Sequence, residues 1–343
     1  MPEVKREALP VRPARERPDP LRALGAAWPW LFLCALLVFF EIWARVGYQT
    51  SFVLNLNNVQ SILLAAVQPL LLALGMTLVI IAGGIDLSVG FTVGLAAVVS
   101  ARVMQVLDPG LPAVLSLLLA IVVALAASLV VGGVNGFLIA RLSVPPFIGT
   151  LGMYGVARGL GFLAADGNTV PTDNPVNSAL GNGKLFGVVP WPVLVTFLIV
   201  LFMHYLLSRT RFGQYTYAIG GNRNAAIRAG INVDGHTVKL YLLTAVLAGV
   251  AGVIYTARFT AGAAQAGEPT LLDAIAAVVI GGASLFGGAG TIVGTVIGAL
   301  IIAVIQFGLV FINVQPFWQF IAVGAVIILS VLVDQARARR ERT

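Results

Sequence analysis

Charged residues are scarce in this chain. Only 10% of its 343 residues are Asp, Glu, Lys or Arg, against roughly 25% in a typical soluble domain. Hydrophobic residues make up 59%, and the mean hydropathy is +0.96. This composition excludes a soluble cytosolic enzyme, a nucleic-acid-binding module and a disordered chain. We therefore expect a protein that lies in membrane lipid and has no nucleic-acid partner.

Cysteine and histidine are nearly absent as well. The single Cys34 excludes a disulfide framework and a cysteine-based metal site, and His204 and His236 are too few for a histidine cluster. There is no Gly-x-x-x-x-Gly-Lys-[Ser/Thr] phosphate loop, no His-Glu-x-x-His and no Gly-x-Ser-x-Gly motif. We therefore predict no catalytic residue, no metal site and no cofactor bound by this chain.

Long apolar runs occupy most of the sequence. Since about 20 apolar residues cross a bilayer as a helix, the length predicts an all-α polytopic bundle of about ten transmembrane helices. We expect a polar tail at 1–27, a membrane domain at 28–333 and a basic tail at 334–343. The predicted spans are 28–46, 59–82, 88–107, 112–140, 147–165, 190–207, 238–257, 270–286, 289–312 and 317–333.

The basic residues predict the orientation of the bundle. In the ten-span arrangement, 16 of the 21 Lys and Arg residues fall on the side of the N-terminus. Because Lys and Arg accumulate in cytoplasmic loops, both termini are predicted to be cytoplasmic. The segment 208–239 would then also be cytoplasmic, and the segments 166–190 and 256–270 would be external loops.

A double glycine interrupts the apolar pattern between the second and third predicted spans. The sequence here is Gly83-Gly84-Ile85-Asp86-Leu87-Ser88-Val89-Gly90. Asp86 and Ser88 have side chains that accept hydrogen bonds from free N–H groups at a helix start, so helix capping is one interpretation. The other is a broken helix beside a transport path, where irregular backbone is tolerated in a membrane. Half of these positions recur at 281–288 when Gly83 is aligned with Gly281.

Small residues four apart recur inside the predicted spans. The motifs begin at Gly90, Gly132, Gly155 and Gly294, each with a second glycine four residues later. In lipid, helices associate through close backbone approach at such residues. These glycines are therefore predicted to pack helices together.

The basic segment 208–239 contains the signals of one short helix. Asn222 is a good N-cap, residues 223–229 favour a helix, and Gly230 supplies a left-handed stop. One interpretation is a rigid knob that docks a partner, and the other is an amphipathic loop on anionic lipid. Few ionisable residues occur within the spans, which argues against a proton-coupled carrier.

These motifs resemble the permease subunits of bacterial ABC importers for monosaccharides, the ribose/xylose/arabinose-type family. The resemblance extends from about residue 50 to 336. It rests on the stretches 83–90, 218–226 and 272–288 and on Val333-Asp334.

The resemblance implies a multi-pass protein of the bacterial inner membrane that imports a pentose, hexose or polyol. It implies cytoplasmic ATPase subunits that hydrolyse ATP, a periplasmic sugar-binding protein, and a second permease copy in a homodimer. The loops 166–189 and 258–269 would face the binding protein. The residues it assigns to ATPase docking are Asn222, Arg223, Asn224, Ala225, Ala226, Arg228 and Gly230.

Several residues near breaks are candidates for lining the transport path, with helix packing as the alternative explanation of each. They are Asn135, Phe147, Thr150 and Ser284. Three other functions remain open from the sequence: a permease for branched-chain amino acids, a self-sufficient carrier or facilitator, and a non-transporting scaffold. The residue sequence of the 83–90 segment favours the family of sugar permeases.

Overall fold

Helices make up nearly all of the architecture in the computed structural model, which describes residues 20–315 and 317–340. The helices are α1 (Pro20–Tyr48), α2 (Leu56–Ile81), α3 (Val89–Leu107), α4 (Ala113–Ala140), α5 (Pro146–Ala164), α6 (Pro175–Asn182), α7 (Trp191–Arg209), α8 (Arg211–Gly221), α9 (Arg223–Arg228), α10 (Val233–Phe259), α11 (Glu268–Ile280), α12 (Ile292–Phe311) and α13 (Phe317–Arg340). The short strands are β1 (Val170–Pro171), β2 (Lys184–Leu185), β3 (Val189–Pro190) and β4 (Ala261–Gly262).

The predicted all-α membrane bundle is confirmed. Each predicted span overlaps a helix, and eight helices in the described residues are long and apolar enough to cross a membrane. They are α1, α2, α3, α4, α5, α7, α10 and α12. The count of ten and the orientation stay predictions, and residues 1–19 of the predicted tail lie outside the described residues.

The centre of the bundle is formed by α2 with α10, α11 and α12 around it. In α2, 83% of the most apolar window is buried, against 22% in α7. Glycines allow this close packing, as predicted for the motif in α4. A Cβ on Gly132 would lie 2.6 Å from the Tyr241 carbonyl oxygen, and one on Gly136 would lie 2.9 Å from Val238 Cα. By contrast, Gly155 and Gly159 of α5 face open space within this chain.

The two ends of the bundle differ in structure. One end carries α8 and α9, and we call it the α9 end. The opposite end carries two antiparallel strand pairs, β1 with β4 and β2 with β3, and we call it the strand end. Helix α6 packs on α10 at the strand end.

The expected external loop at 256–270 is mostly not at the surface. From β4 the chain returns into the bundle along α3, where a Cβ on Gly94 would lie 2.6 Å from the Ala264 carbonyl carbon. Gln68 donates a 2.8 Å hydrogen bond to the Ala266 carbonyl oxygen, and Gln68 lies midway along α2. The segment 263–267 therefore descends to the middle of the bundle, and we call it the re-entrant segment. Small residues on α3 allow this close approach, which hydropathy does not register.

The predicted eighth span, 270–286, does not form a helix of full membrane-spanning length. Helix α11 has 13 residues, a length of about 20 Å, which is short of a bilayer core of about 30 Å. It starts where the re-entrant segment ends, at mid-depth, and runs to the α9 end. Irregular backbone followed by a half-length helix is tolerated at this depth only where it is covered by protein or lines a water-filled cavity.

Candidate functional site

The first helix break is a tight turn at the α9 end of α2. The Gly83 N–H donates to the Ile80 carbonyl oxygen and the Gly84 N–H to the Val79 carbonyl oxygen, both at 2.9 Å. This is the Schellman pattern, in which the residue after the helix takes a left-handed conformation. Gly83 has φ +82°, a value that favours glycine because it has no Cβ. The sequence placed this break correctly.

The second break, after α11, repeats the same turn one residue out of register with the sequence alignment. The Gly282 N–H donates to the Val279 carbonyl oxygen at 3.0 Å and the Ala283 N–H to the Val278 carbonyl oxygen at 3.1 Å. Gly282 has φ +86°, so Gly282, not Gly281, is the conformational equivalent of Gly83. The same turn is therefore present at both breaks, but the alignment of identical residues is shifted by one position from the structural equivalence.

The two breaks and the end of α8 meet at one point, which we call the glycine junction and define as Ile81, Gly220 and Gly288. The Gly288 N–H donates a 2.8 Å hydrogen bond to the Ile81 carbonyl oxygen, which joins the two breaks directly. Gly220 of α8 packs against both groups, since a Cβ there would lie 2.7 Å from the Gly288 nitrogen. Helix α8 therefore contacts both breaks at the glycine junction.

Helix α9 has the capped form that the sequence predicts. The Asn222 side chain accepts a 2.9 Å hydrogen bond from the Ala225 N–H, and Gly230 after the helix has φ +80°. Of the predicted docking residues, all but one are exposed: Asn222, Arg223, Asn224, Ala225, Arg228 and Gly230. Ala226 is buried and packs with Ile219 and Val233. Ala226 therefore anchors α9 on the bundle and does not belong to the exposed face of α9 that a partner could contact.

Helix α8 is fastened to the bundle by two polar side chains. The Thr216 hydroxyl lies 2.9 Å from His236 Nε2 of α10. The Tyr217 hydroxyl donates a 2.6 Å hydrogen bond to the Gly290 carbonyl oxygen, beside the second break. Burial raises the pKa of Tyr217, so its hydroxyl remains a neutral donor. These contacts fix α8 on the bundle, and α8 in turn positions α9, which follows it directly in the chain.

Asp86 and Ser88 form a buried polar group with Asn135. The Asp86 carboxylate accepts hydrogen bonds from the Ser88 N–H at 3.0 Å and from the Ser88 hydroxyl at 2.6 Å. The Asn135 side-chain nitrogen donates to the Ser88 hydroxyl at 2.8 Å. The Asp86 carboxylate thus holds the residue before α3 in an Asx turn and caps no N–H of the helix itself, and the N-cap Ser88 makes no side-chain cap either. The group ties α4 to the entry of α3.

Thr150 also holds the first break. It is buried, and its hydroxyl donates to the Pro146 carbonyl oxygen at 2.8 Å, with the Ile85 carbonyl oxygen at 3.3 Å. Phe147 is exposed near the α9 end, and Ser284 accepts a hydrogen bond from the Phe286 N–H inside the second break. The candidates Asn135 and Thr150 are therefore buried within the chain. Their contacts support a role in holding the first break in position.

A cavity of about 360 Å³ lies between the first break, the turn from α4 to α5, and α9 with α10. Its wall includes Gly83, Gly84, Ser143, Arg223 and Tyr241. The first break thus has open space on one side and the glycine junction on another.

Sequence reasoning missed a polar group at mid-depth. Tyr154 of α5 lies 3.5 Å from a Glu268 carboxylate oxygen at the start of α11, and its ring meets Phe91 edge-on at 4.6 Å between centroids. The Arg158 guanidinium lies 5.3 Å from the Phe91 ring centroid. Glu268 was assigned to an external loop, so only the depth of the re-entrant segment reveals this grouping.

A family of transport permeases matches most of the chain. The model for the permease component of branched-chain amino acid transport systems matches residues 58–331. The chain belongs to this permease family. The match begins within α2 and ends within α13, so it includes both breaks, α8 and α9.

Curated relatives of this permease are similar over nearly their whole length. The ribose import permease of Escherichia coli K12 is 39% identical over 309 residues, which are 89% of this chain and 93% of that protein. The ribose import permease of Bacillus subtilis 168 is 39% identical over 313 residues, 90% and 92%. The galactose/methyl galactoside import permease of E. coli K12 is 35% identical over 322 residues, 89% and 94%.

These relatives confirm the resemblance to permeases of monosaccharide importers. Together with the membrane-spanning helices, they also confirm the expected location in the bacterial inner membrane as a multi-pass protein. Permeases of this kind are membrane subunits that work with an ATPase and a binding protein.

Proposed function

We propose that this permease imports a monosaccharide that a periplasmic binding protein delivers, and that ATPase subunits bind its α9 end. A second permease copy completes the importer, and lipid surrounds it. The observation that carries the proposal is the mounting of α9. A capped, exposed helix sits on a support that touches both helix breaks.

The exposed face of α9 has the features of a docking knob. Arg223 donates a 3.1 Å hydrogen bond to Asp234, which fixes its position beside the start of α10. Arg228 lies in the last turn of α9 and is exposed. A helix of six residues is too short to be stable alone, so its caps and the buried Ala226 hold it in one orientation for a partner.

In the proposed mechanism, a displacement of α9 is transmitted to the two helix breaks that follow α2 and α11. ATP binding brings the two ATPase subunits together, and each pulls its α9. Helix α8 follows, and its Gly220 contact moves the hydrogen-bonded pair of Ile81 and Gly288. The ends of α2 and α11 then shift together, and the passage changes the side of the membrane to which it opens.

The α9 end is proposed to be cytoplasmic and the strand end periplasmic. The segment 208–239 carries Arg209, Arg211, Arg223, Arg228 and Lys239, which fits the accumulation of positive residues in cytoplasmic loops. The loop 166–190 at the strand end is then available to the binding protein. Residues 1–27 and 334–343 are proposed to lie in the cytoplasm.

A monosaccharide is the proposed substrate class because the ribose and galactose permeases are 35–39% identical to this chain. Branched-chain amino acids are the second candidate, because the matching family model carries that description. Uptake by the reconstituted complex should be measured for a pentose, a hexose, a polyol and leucine. Saturable uptake of leucine and of none of the others would contradict the proposal.

The docking role can be tested by reversing one charge on α9. In Arg228→Glu, we expect the ATPase subunit to bind more weakly and ATP-driven uptake to fall at least about tenfold, while membrane insertion persists. Arg211→Glu is the matched control, because Arg211 is also exposed but lies at the start of α8. Unchanged ATPase binding in Arg228→Glu would contradict docking on α9.

A further inference from the structure

Two charged residues lie on the outer surface of this chain, about halfway between the two ends of the bundle. Glu268 begins α11 directly after the re-entrant segment, and Tyr154, its neighbour, lies midway along α5. Arg158 is one turn further along α5, about 6 Å toward the strand end. The side chains of Glu268 and Arg158 are exposed.

Neither charge has an oppositely charged partner among the residues that the structure describes. In the described part of the protein, the ion pairs do not include Arg158 or Glu268. Arg158 instead lies over aromatic rings, 5.3 Å from the centroid of Phe91 and 6.0 Å from that of Phe162.

This arrangement is incompatible with contact to acyl chains. A charged side chain at the centre of a transmembrane helix costs about 2.5–3.5 kcal/mol on insertion scales, and such residues face a protein interior or a water-filled cavity. The exposed surface beside them combines polar and small residues with the apolar side chains of Val156 and Leu272. Gln265 is exposed beside Glu268, and a Cβ on Gly155 of α5 would meet open space.

We propose that Tyr154, Arg158, Gln265 and Glu268 form the surface of the translocation passage that contacts the sugar as it crosses the middle of the membrane. The set offers a carboxylate and a carboxamide as acceptors, and a guanidinium, a carboxamide and a phenol as donors. A polyhydroxylated substrate needs both kinds of partner at short range. This assignment rests on the proposed function, since it takes the substrate class from it.

Two of the residues nominated from sequence differ from this surface in their burial. Asn135 and Thr150 are buried and occupied by contacts with the first break. Arg158, Gln265 and Glu268 are exposed, and Tyr154 is half-buried, with its hydroxyl 3.5 Å from Glu268 and its ring packed on Phe91. The three exposed side chains are therefore accessible to a ligand.

Cysteine labelling measures whether water reaches this surface. The chain has a single cysteine, so Cys34→Ser gives a cysteine-free background. In the complete complex with its ATPase and binding protein, Glu268→Cys should react with a membrane-impermeant methanethiosulfonate reagent, and the transported sugar should slow the reaction. Val130→Cys is the control, because Val130 is 66% exposed on the apolar helix α4. It should stay unreactive.

Transport by conservative variants supplies the second readout. Glu268→Gln and Gln265→Ala should lower sugar uptake per ATP hydrolysed at least about tenfold and change the ratio of rates across a sugar panel. His204→Gln should leave both unchanged, because His204 is exposed on α7, a helix outside the proposed surface.

Two results would overturn the assignment. One is an unreactive Glu268→Cys when Arg141→Cys reacts, which would place the surface against protein or lipid. The other is wild-type uptake with unchanged rates and sugar ratios in Glu268→Gln and Gln265→Ala. If the wild-type complex transports no monosaccharide at all, the proposed function itself fails, and the sugar contacts fail with it.

Discussion

Gly220 is the position where one added carbon atom tests the coupling of α9 to the helix breaks. A Cβ at Gly220 would lie 2.7 Å from the Gly288 nitrogen and closer still to the Ile81 carbonyl oxygen. The nitrogen contact alone must lengthen by about 0.7 Å to become an ordinary one, and overpacking of this kind costs about 1–3 kcal/mol. Alanine is otherwise favoured over glycine in a helix by about 1 kcal/mol.

Gly221 provides a matched control in the same turn of α8. A Cβ at Gly221 meets no atom within 4 Å. Gly221→Ala should therefore be neutral or slightly stabilising, whereas Gly220→Ala should be destabilising in spite of its better helix propensity. Thermal unfolding of the purified permease in detergent would measure the difference between the two variants.

Transport gives the more direct test of the same pair. If about 1–3 kcal/mol of strain falls on only one of the two states of the cycle, ATP-driven uptake in Gly220→Ala should fall by about 5- to 160-fold. ATPase binding should persist, because the exposed face of α9 is unchanged. Equal uptake by Gly220→Ala and Gly221→Ala would refute the idea that the glycine junction transmits the movement.

Three further predictions concern local structure and can be measured by unfolding of the purified permease. Asn222→Ala should remove the cap of α9 and lower stability by about 0.5–2 kcal/mol, whereas Asn224→Ala should not; equal losses would argue against the cap. Asp86→Ala should cost about 1–3 kcal/mol by leaving buried donors unpaired, and Asp86→Asn should cost less because an acceptor remains; the reverse order would contradict this. Gly94→Ala should cost about 1–3 kcal/mol by displacing the re-entrant segment, and a neutral effect would disprove the close packing with Ala264.

Local signals in the sequence were sufficient for several elements. Long apolar runs located the helices because a membrane span must bury its backbone polar groups in helical hydrogen bonds. The cap and stop signals at Asn222 and Gly230 predicted α9 correctly, since capping depends on residues close together in the chain. The double glycine at 83–84 placed the first break for the same reason.

Features that depend on tertiary packing were not predictable in this way. The run 270–286 is apolar except for Thr270, Asp273 and Ser284, so hydropathy could not show that α11 ends at Ile280 and that a turn follows. The re-entrant segment contains turn-forming residues and was taken as an external loop. Its depth depends on small residues of α3, such as Gly94, that make room for it. The grouping of Tyr154, Arg158 and Glu268 follows only from that depth.

The central claim is that this permease moves a monosaccharide only as part of an ATP-driven complex. It should be reconstituted in proteoliposomes alone, and then with its ATPase, its binding protein and ATP, and uptake of labelled sugars should be compared. We expect uptake by the full set and none by the permease alone. Facilitated or concentrative uptake by the permease alone would contradict the account and make it an independent carrier.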